Sequence, residues 1–134
     1  MKKEKKCTQN IQFDDFWGNM PFSMIEKIQY NLDELNINDW EYISCNFKLS
    51  EDFIRMYKKC VNWNYISRYQ KLSESFIEKY QDKIDWVWIS EHQNISDIFI
   101  LKYYENIDVS YLKYNESIQY TLFQSQIGMY LLVL

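Results

Sequence analysis

Glycine and proline are nearly missing from this chain: Gly18, Gly128 and Pro21 are all that its 134 residues contain. Turn-rich β architectures use both residue types at their corners, so the shortage argues against them and for helices. With only these two glycines, neither G-x-x-x-x-G-K-[ST] nor G-x-G-x-x-G can be written, which removes the standard phosphate-cradling loops. His92 is the only histidine, and Cys7, Cys45 and Cys60 form no CxxC pair, so no metal-ligand spacing exists and the thiols read as structural ones in a reducing cytosol. The longest apolar run, the terminal "YLLVL", is far below the roughly 20 residues that span a bilayer. The start, "MKKEKK", has no apolar region behind it and matches no secretory signal, so export is not expected.

What the chain has in quantity is aromatic residues, 19% of the total, within a hydrophobic content of 47%. That suffices for one compact domain with a core. Residues 7–134 hold 11 basic and 18 acidic residues, a net charge of -7, and a free phosphate backbone would be repelled. Direct nucleic-acid binding is therefore not expected.

Setting Trp40, Trp63 and Trp86 in one column gives a period of 23 residues and brings nearly every apolar position into register. Asp39, Asn62, Asp85 and Asp108 precede that column. Tyr42, Tyr65, Trp88 and Tyr111 follow it, then Ile43, Ile66, Ile89 and Leu112. Further along stand Leu49, Leu72, Ile95 and Ile118, then Phe53, Phe76, Phe99 and Leu122, and last Val61, Ile84, Ile107 and Tyr130. Each unit predicts two short helices. The Asp or Asn before the Trp caps the first, of seven or eight residues; Ser50, Ser73 and Ser96 cap the second, of about ten. Glu51, Asp52, Glu74 and Asp97 fall in the first turn of the second helix, where the helix dipole favours carboxylates. Helices this short are marginal alone, so the units must stack and bury one another's Trp, Tyr, Ile and Phe.

The expected fold is all-α: a short α-solenoid of helix-turn-helix repeats in a single domain over residues 1–134. Residues 1–12 are read as a flexible tail and 13–38 as an N-terminal cap. The repeats are 39–61, 62–84 and 85–107, followed by a degenerate repeat and apolar C-terminal cap over 108–134. In the N-terminal cap, Pro21 and a capping box Ser23-Met24-Ile25-Glu26 open a helix with Ile25, Ile28, Leu32 and Leu35 on one face.

"DWEYISCNFKLSEDFI" and "NWNYISRYQKLSESFI" carry the unit most fully. Written as D-W-x-x-I-S-x-x-x-x-L-S-E-x-F-I, it resembles a class of short tandem repeats in proteins of bacteriophages and large DNA viruses. The resemblance covers about residues 39 to 123; residues 108 to 130 depart from it, losing the Trp and both Ser. It implies a viral or phage origin and an interaction role, and transfers no catalytic residue.

His92, whose column also holds Asn46, Tyr69 and Asn115, reads as a polar exposed position without a patterned nucleophile or carboxylate, so catalysis is not assigned. Paired carboxylates such as Asp14-Asp15, Asp33-Glu34 and Glu51-Asp52 read as solvated faces and helix starts. No cofactor and no metal is expected. The third unit breaks the pattern: Val87, Ile98, Leu101 and Tyr104 stand where other units carry polar residues. Either Met129 to Leu134 folds back over them, or a partner or second copy covers them. Val87, Ile98, Leu101 and Tyr104 are thus the candidate partner-binding residues. The leading expectation is a cytoplasmic, phage- or virus-encoded module that sterically inhibits a host defence protein, such as a CRISPR effector. A self-associating assembly protein or homodimer, an acidic mimic of nucleic acid and an enzyme with an unrecognised site are the alternatives.

Overall fold

The computed structural model describes residues 15–118, and the described residues are all-α: helices and turns with no strand. The expected tail over 1–12, the register positions Leu122 and Tyr130, and the Met129 to Leu134 segment lie outside the described residues. Two compact units divide the chain, Met1–Asn62 and Trp63–Leu134, at the start of the second repeat.

In the first unit, α1 spans Phe22–Tyr30, a 3-10 turn spans Leu32–Glu34, α2 spans Ile37–Asn46 and α3 spans Glu51–Met56. The capping box expected at Ser23 does not form, because Pro21 starts α1 earlier. Its carbonyl accepts from Met24 N–H at 3.0 Å and Ile25 N–H at 3.1 Å, which puts Ser23 inside the first turn. The helix also ends sooner than its apolar spacing suggests. Asn31 leaves helical geometry, so Leu32 turns outward while Ile28 stays buried.

A second correction concerns Asp39. Asn36 caps α2, accepting from Asp39 N–H at 3.0 Å, and the Asp39 carboxylate accepts from Asn36 N–H at 2.9 Å. Asp39 therefore closes a capping box from the third helical position, and α2 is ten residues long. Gly18 is required by geometry: its φ is +60°, and a Cβ there would lie 1.9 Å from the Lys48 carbonyl oxygen. Asn19 Oδ1 accepts from Lys48 N–H at 2.7 Å, and the Ser50 hydroxyl donates to Phe16 O at 2.8 Å, which fastens this turn to the α2–α3 loop.

In the second unit, α4 spans Trp63–Tyr69, α5 Glu74–Lys79, α6 Trp86–His92, α7 Asp97–Lys102 and α8 Val109–Leu112. Asp85 and Asp108 cap α6 and α8 as their columns predict. The serine caps also form: Ser50, Ser73 and Ser96 accept from Phe53, Phe76 and Phe99 N–H at 3.0, 3.2 and 3.2 Å. The second helices are six residues long, shorter than the predicted ten, because Tyr57, Tyr80 and Tyr103 leave the helix and start a turn. Each tyrosine's carbonyl then accepts from Val61, Ile84 or Ile107 N–H at 3.0 to 3.1 Å, so these apolar residues still reach the core.

The same ring cluster recurs in each repeat. Trp40, Trp63 and Trp86 lie 5.6, 5.2 and 5.6 Å from Tyr57, Tyr80 and Tyr103, and Phe53, Phe76 and Phe99 lie 4.7, 4.7 and 4.6 Å from the same tyrosines. Ile43, Ile66, Ile89 and Leu112 are buried, as are Ile54, Ile77 and Ile100.

Two polar devices join successive repeats. Ser44, Ser67 and Ser90, all fully buried, donate to the carbonyls of Trp40, Trp63 and Trp86 at 2.7, 2.7 and 2.6 Å. Each hydroxyl also accepts the N–H that opens the next repeat: Asn62 at 3.0 Å, and Asp85 and Asp108 at 2.9 Å. Buried Gln93 donates to Ser67 O and Gln70 O at 2.9 and 2.6 Å and accepts from Leu72 N–H at 3.0 Å. Asn115 repeats the clamp on Ser90 O and Gln93 O at 2.9 and 2.7 Å.

Candidate functional site

His92 is exposed at the end of α6, its ring 5.6 Å from Trp88 and its Nε2 3.8 Å from the Glu91 carboxylate. With Glu91, Tyr114, Asn115, Glu116 and Ser117 it lines an open cleft of about 490 Å³. A serine beside a histidine invites a nucleophile-and-base reading, but the Ser117 hydroxyl bonds Asn115 Oδ1 at 2.6 Å. Asn115, expected to be exposed with its column, is 2% exposed instead. The reason is a slip of one residue: α8 is four residues long, so Asn115 arrives early and takes the clamping role that Gln93 has in the repeat before.

Among the described residues no group of three or more His, Cys, Asp or Glu is placed to hold a metal ion, and no helix is long and apolar enough to cross a membrane. Cys45 and Cys60 are free, half-buried thiols; Cys7 lies outside the described residues. Burial pushes the Tyr57 phenol up, with Cys60 adding to the rise.

The four candidate partner-binding residues fall on two helices and the turn after the second. Ile98 on α7 is 79% exposed, Leu101 43% and Tyr104 51%. Spacings of three residues make Ile98, Leu101 and Tyr104 successive neighbours along one side of α7 and its following turn. Val87 is half-buried in the first turn of α6, its N–H bonded to Asp85 Oδ1 at 3.0 Å. Lys102, the last residue of α7, and Tyr103, just after it, both donate to the Glu78 carboxylate. These bonds, Lys102 first, hold the Glu78 carboxyl below the usual carboxylate range, and Glu78 in turn raises Lys102 and Tyr103.

A second feature corrects the sequence reading, which placed Tyr42, Tyr65, Trp88 and Tyr111 in the core. Tyr42 and Tyr111 are exposed, and Tyr65 and Trp88 are half-buried. Two residues along a helix is a rotation of about 200°, so Tyr42 faces away from the buried Trp40. In the later repeats the Trp40 column is itself less buried than expected: Trp63 and Trp86 are half-buried and Val109 is exposed. In the second unit the outward residues are joined. The Tyr65 and Tyr69 rings are 5.9 Å apart, and the Arg68 guanidinium lies 5.0 Å from the Tyr69 ring and 4.4 Å from the Trp88 ring. Trp88 Nε1–H donates to Asn64 Oδ1 at 2.9 Å, and Asn64 Nδ2–H donates to Asp85 at 3.0 Å, which fixes the indole. The ridge ends at the His92 and Tyr114 cleft.

No family model, curated protein or solved structure matches the chain.

Proposed function

We propose that this chain is a phage- or virus-encoded protein-binding module, a short α-solenoid acting in the host cytoplasm by covering the surface of a host defence protein, such as a CRISPR effector. The observation that carries it is Ile98, an isoleucine 79% exposed at a position that is Asp52 and Ser75 in the other repeats. Exposing apolar surface on α7 costs solubility, and an interface is what offsets that cost. The viral-type repeat supports the origin, and steric blocking needs no active site.

The test is expression in bacteria that restrict an infecting phage through a CRISPR effector. The wild-type chain is expected to restore plaque formation and to co-purify with the effector. Ile98→Asp with Leu101→Asp is expected to abolish both at an unchanged unfolding midpoint. No rescue across effector types would overturn the inhibitory role. The same patch supports self-association as a second reading, which a monomer in sedimentation at high concentration would remove.

A further inference from the structure

The outward ridge of α4, α6 and the α8 turn suits a different kind of contact from the aliphatic patch on α7. It is aromatic and continuous over three repeats: Tyr69 is 48% exposed, Trp88 half-buried, His92 exposed and Tyr114 59% exposed. Aromatic side chains lose little conformational freedom on binding and offer flat faces, which is why they dominate protein-recognition surfaces.

Charge selects the occupant. Residues 63–118 carry six lysines and arginines against nine carboxylates, a net charge of -3. Four of the six cations are already engaged: Arg68 on Trp88 and Tyr69, Lys79 on Tyr80, Lys113 on Tyr114 and Lys102 on Glu78. Glu91 and Glu116, contributed by successive repeats, face the cleft at the end of the ridge, and no lysine or arginine lines that cleft. The position of Arg68, 4.4 Å over Trp88, shows the contact this surface makes with a guanidinium. A phosphate backbone would meet the two carboxylates instead, which disfavours stacked nucleotides.

We propose that the ridge from Tyr69 through Trp88 and His92 to Tyr114 docks an extended, basic segment of a partner protein, with one of its arginine or lysine side chains entering the Glu91–Glu116 cleft. The surface deepens the protein-binding role proposed above and rests on it.

The experiment follows fluorescence anisotropy of a labelled eight-residue peptide of alternating arginine and proline added to the full chain. An alternating glutamate and proline peptide and an octamer of single-stranded RNA serve as comparators. The arginine peptide is expected to bind, more weakly as salt rises, and in preference to both comparators. Glu91→Gln with Glu116→Gln is expected to weaken it about fivefold at an unchanged unfolding midpoint. Tyr114→Ala is expected to weaken it as well, and Ile98→Asp to leave it unchanged. No binding at millimolar peptide, equal binding of the glutamate peptide, preferential binding of the RNA, or indifference to the two glutamine substitutions would each overturn the proposal. Because Ile98→Asp tests the α7 patch and the glutamine pair tests the ridge, effector capture that survives the glutamine pair sinks this inference alone. Loss of effector binding in the wild-type chain sinks the broader role.

Discussion

The backbone N–H of Asp85 donates at 2.9 Å to the hydroxyl of Ser67, eighteen residues earlier, while that hydroxyl donates at 2.7 Å to Trp63 O. One fully buried oxygen thus ties the first turn of one repeat's first helix to the start of the next repeat. Ser67→Ala leaves the Asp85 N–H without its acceptor and is expected to cost about 1 to 3 kcal/mol, read from the midpoint of denaturant unfolding. Stability within a few tenths of wild type would mean that water replaces the hydroxyl.

Gln93 holds three backbone groups of the preceding repeat, two as donor and one as acceptor. In Gln93→Glu only a neutral carboxyl can still donate to a carbonyl, so the folded state raises that group's pKa above its unfolded value. The variant should approach wild-type stability most closely at acid pH and lose ground as pH rises through the folded pKa. Unfolding titrations of both proteins between pH 4 and 8 check it; a difference independent of pH would refute it.

Glu78 gives the opposite sign. Its carboxyl is held low by Lys102 and Tyr103, so its contribution is present above the unfolded carboxylate pKa and disappears as pH falls through the lower folded one. The stability gap between wild type and Glu78→Gln should therefore narrow under acid and narrow again with added salt, because the ion pair is exposed.

Gly18→Ala places a methyl group against the Lys48 carbonyl at a positive φ. Strain and displacement together are expected to cost at least about 2 kcal/mol, measured as a lowered unfolding midpoint.

Trp17 is 4% exposed, packs 5.6 Å from Phe53, and keeps its indole N–H buried with no hydrogen-bond partner among the described residues. Trp17→Phe removes that orphan donor together with some apolar area, two effects of opposite sign and each about 1 to 3 kcal/mol. The expected net change is within about 1 kcal/mol of zero in thermal unfolding, far less than a buried ring truncated to alanine would show.

The period of 23 made the apolar columns legible because burial acts on every copy alike: Ile43, Ile66, Ile89 and Leu112 share one environment, and Ser50, Ser73 and Ser96 one cap. Column reading failed where copies differ in helix length. Asn36 extends α2 backward and displaces Asp39 from the cap, and the short α8 moves Asn115 inward from a column that His92 leaves exposed. The serine in "IS" was visible in three copies, but its role depends on a partner eighteen residues on, which no local pattern announces. Recurrence alone does not separate core aromatics from outward ones, because Tyr42, Tyr65, Trp88 and Tyr111 repeat at the same period as Phe53, Phe76 and Phe99. Helical rotation of about 200° from the buried Trp40 separates Tyr42 from the core, whereas Trp63 and Trp86 are themselves half-buried.

The serine link also has a direction. At each junction the acceptor belongs to the earlier repeat and the N–H it receives to the later one, so the anchor for each new repeat's first helix lies toward the amino end. A ribosome releases protein in that same order, and each emerging segment finds its mooring already synthesised.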